Sequence, residues 1–138
     1  MTGLWVENSL GQVLLVQRAF TKKNEPGKWG PAVSGTVEKG ETYDSNIMKE
    51  SREEIGLINC EFKKVEKLRI FGQHNFFVQW YFAKVDKRLE DFVLEDGSSE
   101  CLKWFERKEL KSALENTPED FTAGFKVNLT LLRNFLKE

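Results

Sequence analysis

The sequence is poor in the side chains that build disulfide scaffolds and zinc sites, with two cysteines and one histidine among 138 residues. Cys60 and Cys101 are far apart and form no CxxC pair, so a structural zinc site is not predicted and a disulfide is left undecided. No apolar run approaches the roughly 18 residues of a membrane span. The first residues also lack the pattern of a secretory signal. We therefore expect a cytoplasmic protein with no membrane partner.

A dominant charge of either sign is also lacking. The chain has 21 basic and 22 acidic residues, which gives a net charge of −1. Such a balance provides no global attraction for polyanions, so we expect no nucleic-acid partner, and any anionic ligand must be held by a local site. The length and a hydrophobic content of 40% fit one domain over residues 1–138, either a monomer or a homodimer.

What the sequence does contain is a series of short strands around one well-marked helix. Thr42 is a suitable N-cap and Gly56 a suitable C-terminal stop for a helix over residues 43–55. Its stripe at i+4 spacing, expected to face the core, is Tyr43, Ile47, Ser51 and Ile55. Strands are predicted over residues 3–7, 12–18, 29–37, 62–71, 75–85 and 101–106, and helices over 107–114 and 123–136. The fold class is α+β, and the aromatic residues expected in its core include Phe76, Phe77, Trp80 and Trp104.

Chemistry is concentrated in residues 35–57, GTVEKGETYDSNIMKESREEIGL. Glu50, Glu53 and Glu54 stand at i, i+3 and i+4, so on a helix they fan over about 100° of one side. Local stability disfavours this arrangement, because like charges repel and negative charge near a helix C-terminus opposes the macrodipole. A hard divalent cation such as Mg²⁺ needs such a cluster of oxygen ligands. A solvated, salt-bridged helix face has the same spacing, and spacing alone leaves both interpretations open.

The same segment resembles the Nudix box, a pattern with nine specified positions. Seven of them match here with both gaps at the right length: Gly35, Glu41, Glu50, Glu53, Glu54, Gly56 and Leu57. The resemblance implies the Nudix fold, a mixed β-sheet sandwiched between α-helices. It also implies a Nudix pyrophosphohydrolase that uses Mg²⁺, or Mn²⁺ in its place, to cleave a diphosphate bond in a small-molecule substrate.

The resemblance assigns roles to the box residues. Glu50 and Glu54 match the principal metal ligands, and Glu53 matches a neighbouring ligand or proton-handling carboxylate, so all three are candidate catalytic residues. Gly35 would offer its backbone carbonyl to the metal. Glu41 would brace the loop against the helix at the edge of the substrate site.

Family members commonly use a further carboxylate outside the box as metal ligand or base. Glu100 is the first candidate for this role and Glu95 the second. Arg18 and Lys28, which flank the loop before the box, are candidates for binding substrate phosphates. His74, the only histidine, is expected to be an ordinary surface or packing residue.

Two box positions depart from the pattern. Lys49 replaces an arginine, which keeps the charge but loses the planar, bidentate geometry that orients a glutamate. Ser51 replaces an apolar residue on the buried stripe, and we expect its hydroxyl to bond back to the helix carbonyls. Neither change removes a metal ligand, so activity remains the expectation.

Outside the box, the segments PGKWGPAVSGTVEKGE, WFERKEL and PEDFTAGFK resemble the isopentenyl-diphosphate isomerase-like branch of the family. Isomerases of this branch carry a catalytic cysteine on the strand that enters the box, where this chain has Ala32, Val33 and Ser34. Sequence marks of the ADP-ribose and dinucleoside-polyphosphate subfamilies are missing too. A nucleoside diphosphate derivative is the expected substrate, and the alternatives are a non-catalytic ligand-sensing module or, less favoured, an isomerase.

Overall fold

The computed structural model describes residues 1–71 and 75–131. In this part of the chain, seven strands form one sheet and three α-helices pack on it. The strands are β1 Thr2–Glu7, β2 Val13–Arg18, β3 Trp29–Pro31, β4 Val33–Gly35, β5 Lys63–Ile70, β6 Phe76–Lys84 and β7 Ser99–Phe105. The helices are α1 Tyr43–Ile55, α2 Arg107–Asn116 and α3 Ala123–Leu131, with 3₁₀ turns at Leu89–Asp91 and Pro118–Asp120.

The centre of the sheet is β1, whose six residues are all buried. One edge of β1 pairs in parallel with β6 along its whole length. The other edge is divided, since its end at Glu7 pairs with β2 and its beginning at Thr2 pairs with β4, both antiparallel. Strands β3 and β7 pair with β2, and β5 pairs with β6. The β3–β4 segment therefore enters between the diverging ends of β1 and β2.

The two faces of the sheet carry separate cores, because successive side chains of a strand point to opposite faces. On one face, Leu4 and Val6 of β1 pack with Ile47 and Ile55 of α1. On the other face, Trp5 packs with side chains of α2, α3 and the turn before α3: Leu110, Phe121, Phe125 and Leu129. A mixed sheet between helices was predicted, and the structure confirms it.

Both ends of α1 are capped by hydrogen bonds. The amide of Ser45 donates to the Thr42 hydroxyl and the amide of Thr42 donates to the Ser45 hydroxyl, each at 3.0 Å. At the other end, Gly56 adopts a left-handed φ of 68° and donates its amide to the Arg52 carbonyl at 3.1 Å. The predicted helix bounds are confirmed, because the caps determine where α1 begins and ends.

Some predictions of position were wrong. The strand expected over residues 29–37 is two short strands that break at Ala32, and the second ends at Gly35. Trp80 is buried as expected, but Phe76 is 37% exposed and Phe77 45% exposed, so neither belongs to the core. His74 and the part of the last predicted helix after residue 131 lie outside the described residues.

Within residues 1–71 and 75–131, none of the helices combines the length and the apolar character that crossing a membrane requires.

Candidate active site

The box is assembled by the close approach of β4 to α1. A Cβ atom added to Gly35 would lie 2.5 Å from Cγ of Glu50 and 2.6 Å from Oδ1 of Asn46. Real Cβ atoms do not approach heavy atoms that closely, so any side chain at this position would push the strand away from the helix. Glycine at the start of the box is therefore required by packing against the carboxylate-bearing face of α1.

Glu50 and Glu54 form a carboxyl pair beside the end of β4. Their side chains share a hydrogen bond, and the amide of Ser34 donates to Oε1 of Glu54 at 3.4 Å. Burial raises the pKa of Glu54 to about 9, and the hydrogen bond and negative charge of Glu50 act in the same direction. At neutral pH without a cation, the pair therefore holds a proton.

This pair fits a hard divalent cation. Two carboxylates in one site cannot both ionise without a counter-charge, and a bound cation would take the place of the shared proton. Glu53 is exposed on the surface of α1 rather than joined to the pair. Among the described residues, no group of three or more His, Cys, Asp or Glu side chains is arranged to hold a metal ion. The chain thus offers two converging carboxylates, and further oxygen ligands would come from substrate, water or the backbone.

Glu41 braces the loop before α1 against the helix. Its Oε1 accepts hydrogen bonds from the amide of Glu38 at 2.8 Å and from Nδ2 of Asn46 at 3.2 Å. Its Oε2 lies 2.8 Å from Nζ of Lys49, and the same Nζ lies 3.8 Å from Oε1 of Glu50. The hydrogen bond from Lys49 holds the pKa of Glu41 below its ordinary value. Lys49 therefore still links the loop to a box glutamate, through one nitrogen instead of a planar fork.

Asn46 is a site residue that the sequence analysis missed. Its side chain is fully buried, accepts the Thr2 hydroxyl and donates to the Thr36 carbonyl at 3.0 Å as well as to Glu41. It therefore ties β1, the loop after β4 and α1 together. One signal could have found it: Asn46 lies four residues before Glu50 and so shares its helix face.

Ser51 differs from the prediction. It is fully buried on the apolar stripe of α1, as expected, but in the described part of the chain its hydroxyl has no hydrogen-bond partner. The expected bond back to a helix carbonyl is not made, because the side chain lies in the apolar core between α1 and the sheet. A buried hydroxyl without a partner lowers stability.

A cavity of about 280 Å³ lies between the sheet and the beginning of α3. Ser34, whose amide binds Glu54, lines it, as do Arg18, Trp80 and Asn128. Nε1 of Trp80 donates to Oδ1 of Asn128 at 2.8 Å, which fixes the indole as a wall. The cavity can therefore hold an apolar or aromatic group.

The candidate phosphate-binding residues lie at the mouth of this cavity or near it. Arg18 lines the cavity and uses Nε to donate to the Asn24 carbonyl at 3.1 Å. Lys28 is its neighbour, since the amide of Arg18 donates to the Lys28 carbonyl at 2.9 Å. Of the predicted substrate-binding residues, Arg18 is the one that the structure places in the cavity wall.

The two carboxylates proposed outside the box are placed differently. Glu100 accepts a hydrogen bond from the amide of Phe20 at 3.0 Å and lines a separate cavity that contains no box residue. The amide of Glu95 donates to the carbonyl of Glu54 at 3.2 Å, and the charge of Glu95 helps to raise the pKa of Glu54. The second candidate, Glu95, is therefore the one beside the carboxyl pair.

Comparisons with known proteins agree with this geometry. A family model described as NUDIX domain matches residues 2–125. A segment of 53 residues, 38% of the chain, is 38% identical to the isopentenyl-diphosphate Delta-isomerase of Citrobacter koseri, and it spans 29% of that relative's length.

Solved structures show the same fold at low sequence identity. The crystal structure of DR0079 from Deinococcus radiodurans superposes with a TM-score of 0.80 at 19% identity, over 99% of this chain and 82% of that one. The NUDIX domain of Shewanella oneidensis NrtR, solved in complex with ADP ribose, superposes with a TM-score of 0.70 at 14% identity, over 99% of this chain and 86% of that one. Both extend the agreement beyond the box to the whole sheet and its helices.

Proposed function

Because this chain belongs to the NUDIX domain family, we propose that it is an Mg²⁺-dependent hydrolase that cleaves a phosphoanhydride bond in a small nucleoside diphosphate derivative. Enzymes of the family generally cleave such bonds and generally use a divalent metal. The observation that carries the proposal is the half-buried Glu50–Glu54 pair, whose Glu54 accepts the amide of Ser34, a residue that also lines a cavity large enough for an organic group. The same family match supports a single domain over residues 1–138.

Glu50 and Glu54 are the side chains that would hold the metal, with the Gly35 carbonyl and Glu53 as further ligands. When bound, the ion supplies positive charge that polarises the phosphoryl oxygens and favours a hydroxide-like nucleophile. Glu95 is favoured over Glu100 as the additional carboxylate because of its place beside Glu54.

The other residues position these groups. The amide of Ser34 orients Glu54, and Lys49 holds Glu50 and Glu41 at a fixed separation. Arg18, and Lys28 next to it, would bind the phosphate that leaves with the organic group. Catalysis would then consist mainly of positioning and charge stabilisation, as in other phosphoryl transfers.

The isomerase alternative receives no support from the site. Residues 32–34 contain no thiol, and neither cysteine lines the cavity that Ser34 lines. Cys60 lines a different cavity with Asp44 and Tyr81. Cys101, on β7, lies beside Gln17 of β2. The metal site alone suffices for hydrolysis, whereas the isomerase proton chemistry lacks its acid.

One observation favours the second candidate function, a non-catalytic ligand-sensing module. Glu53 is exposed, and the described residues contain no set of three converging metal-binding side chains. A module that only binds its ligand does not need a complete metal site. Turnover separates the two candidates.

The test is cleavage of a panel of nucleoside di- and triphosphates, nucleotide sugars and prenyl diphosphates, with Mg²⁺, with Mn²⁺ and with chelator, followed by chromatographic separation of the phosphate-containing products. Metal binding is measured in parallel by calorimetry. We expect metal-dependent cleavage that is lost in Glu54→Gln and kept in Glu115→Gln, a matched change at an exposed glutamate of α2. Ligand binding without turnover would favour the sensing module, and absence of metal binding would contradict the assigned site.

A further inference from the structure

A row of alternating aromatic and cationic side chains lies on the surface beside α1. In order it consists of Tyr43, Lys67, Phe77, Arg69 and Phe71, and we call it the aromatic–cation row. Nζ of Lys67 lies 4.9 Å from the ring centre of Tyr43 and 4.8 Å from that of Phe77. Cζ of Arg69 lies 5.8 Å from the ring centre of Phe77 and 4.9 Å from that of Phe71. Four cation–aromatic contacts thus connect five side chains.

The pairing of β5 with β6 produces the row. Arg69 stands directly opposite Phe77 in the antiparallel ladder. A register shift between Lys64 and Lys67 precedes it, after which alternate residues of β5 point to one face. Lys67, Arg69 and the following Phe71 therefore share the face of the sheet that carries α1, where Tyr43 begins the helix.

Among residues 1–71 and 75–131, no carboxylate forms an ion pair with the cations of the row. Strand β5 carries four cationic residues and one acidic residue, KKVEKLRI. Lys64 pairs with Asp44 at 3.2 Å. In the described part of the chain, neither Lys67 nor Arg69 has a carboxylate within ion-pairing distance. Their charge remains available to an anion from outside.

The two phenylalanine rings of the row are exposed as well. Phe71 is 71% exposed and Phe77 45% exposed. Lysines on an edge strand such as β5 have an ordinary role, since they discourage pairing with other chains. Exposed phenylalanines have the opposite effect, so protection of the edge explains the cations and not the rings between them.

We propose that the aromatic–cation row binds a single-stranded oligonucleotide. Unpaired bases would stack on Phe71 and Phe77 and on the guanidinium plane of Arg69, while Lys67 and Arg69 meet the phosphates. A duplex hides its base faces, and a membrane surface favours a continuous apolar patch over alternating charges. The net charge of −1, on which the expectation of no nucleic-acid partner rests, describes the whole molecule and not this surface.

The proposal is independent of the hydrolase chemistry, although the two surfaces meet. A cavity lined by Glu41, Thr42, Tyr43 and Phe77 joins the row to the loop of the box. Arg69 and Phe71 lie at the far end of the row and do not line this cavity. Variants of these two residues therefore test the row without changing the carboxyl pair.

Fluorescence anisotropy with ten-nucleotide RNA and DNA strands, labelled at the 3′ end and measured in chelator, tests the proposal. The wild-type chain should bind both in a saturable manner. Phe71→Ala and Phe77→Ala should each weaken binding about tenfold, within the range for loss of one stacked base. Phe77→Trp should keep the affinity, whereas Phe77→Leu should lose it as alanine does.

The cations give a second, independent readout. For single strands, the slope of log K against log salt changes by about 0.7 for each phosphate contact. Arg69→Gln and Lys67→Gln should each reduce the slope by about that amount, and Lys111→Gln on α2 should leave it unchanged. Phosphate release by Arg69→Gln should equal that of the wild type, so loss of oligonucleotide binding is distinguishable from failure of the hydrolase.

Several results would overturn the proposal. These are no saturable binding of any strand, equal affinity for a duplex of the same length, or affinities that do not change in the phenylalanine variants. Binding of anionic phospholipid vesicles that depends on Phe71 and Phe77 would identify the row as a lipid contact instead. Circular dichroism of each variant confirms that a loss of binding is not a loss of folding.

Discussion

The two ends of the α1 face that carries the box glutamates differ in how fully their polar side chains are hydrogen-bonded. At its beginning, Asn46 and Glu41 have their polar atoms occupied by described hydrogen bonds and an ion pair. At its end, Glu54 holds a shared proton with a strongly raised pKa, and the Ser51 hydroxyl has no described partner. At the first end the polar side chains are satisfied within the protein, so this end is a rigid support that does not require a ligand. The second is destabilised by its own side chains, which is the condition that a bound cation relieves at Glu54.

Glu54→Gln should have the largest effect on activity of the variants considered. It removes one of the two converging carboxylates, and we expect phosphate release to fall about 10³-fold, because charge stabilisation by a metal is worth several kcal/mol. The metal-free variant should unfold at the same or a slightly higher temperature than the wild type. Turnover assays and thermal melts in chelator check both results, and a fully active variant would show that Glu54 is not a metal ligand.

The pH dependence of metal-free stability should come from the same end of the helix. Because the pKa of Glu54 is raised from 4.5 to about 9 in the folded state, its contribution is present below its unfolded pKa and lost as pH rises towards 9. The melting temperature in chelator, relative to Glu54→Gln, should therefore fall by at least roughly 5 °C between pH 5 and pH 9. Parallel curves for the two proteins would contradict the raised pKa.

Asn46→Ala should damage the rigid end. It leaves Thr2, Glu41 and the Thr36 carbonyl without a buried partner, and we expect the free energy of unfolding to fall by about 2 kcal/mol. Asn116→Ala, at an exposed asparagine of α2, should change it by about 0.5 kcal/mol or less. Urea denaturation measures both, and equal effects would mean that Asn46 does not hold the elements together.

Ser51→Ala should stabilise the protein at the end of α1 that carries Glu54. Removing a buried hydroxyl without a partner should raise the free energy of unfolding by about 1 kcal/mol. The same substitution at Ser45, whose hydroxyl accepts the Thr42 amide in the capping box, should lower it by about 1 kcal/mol. A destabilised Ser51→Ala variant would show that an acceptor or a bound water satisfies this hydroxyl in solution.

Lys49→Arg is expected to have the smallest effect. A planar fork can contact Glu41 and Glu50 together, so kcat should rise by about threefold at most. Lys49→Met removes the link altogether and should lower kcat. If arginine also lowered kcat, the single-nitrogen contact would be the geometry that this site requires.

Features of the fold and the site could be predicted where the interacting residues are close in sequence, and could not where they are far apart. The caps of α1 are local, so Thr42 and Gly56 could be assigned from the sequence, and with them the start and the end of the helix. Helical spacing also predicted that the box glutamates share one side of α1. It could not decide which of them turns towards β4, because that depends on how the strand packs, and Glu53 proved to be exposed.

The errors on β6 have a similar origin. β6 is a nearly continuous apolar run, FFVQWYFAK, which reads as a strand covered on both faces along its whole length, so Phe77 was assigned to the core. Its neighbour β5 is the edge, and the register shift after Lys64 is a tertiary feature without a sequence mark. Asn46 was missed because its importance lies in partners from three separate segments.

The parallel pairing of β1 with β6 also limits the order in which the protein can fold during synthesis. Thr2 pairs with Gln79 and Glu7 with Lys84, so the central strand acquires its parallel neighbour only after residues 76–84 have been synthesised. Until then one hydrogen-bonding edge of β1 is open, and non-local pairing of this kind is slow. The carboxyl pair is positioned on this strand through β4, so on the ribosome the pair is expected to reach its final geometry late, after β6 emerges.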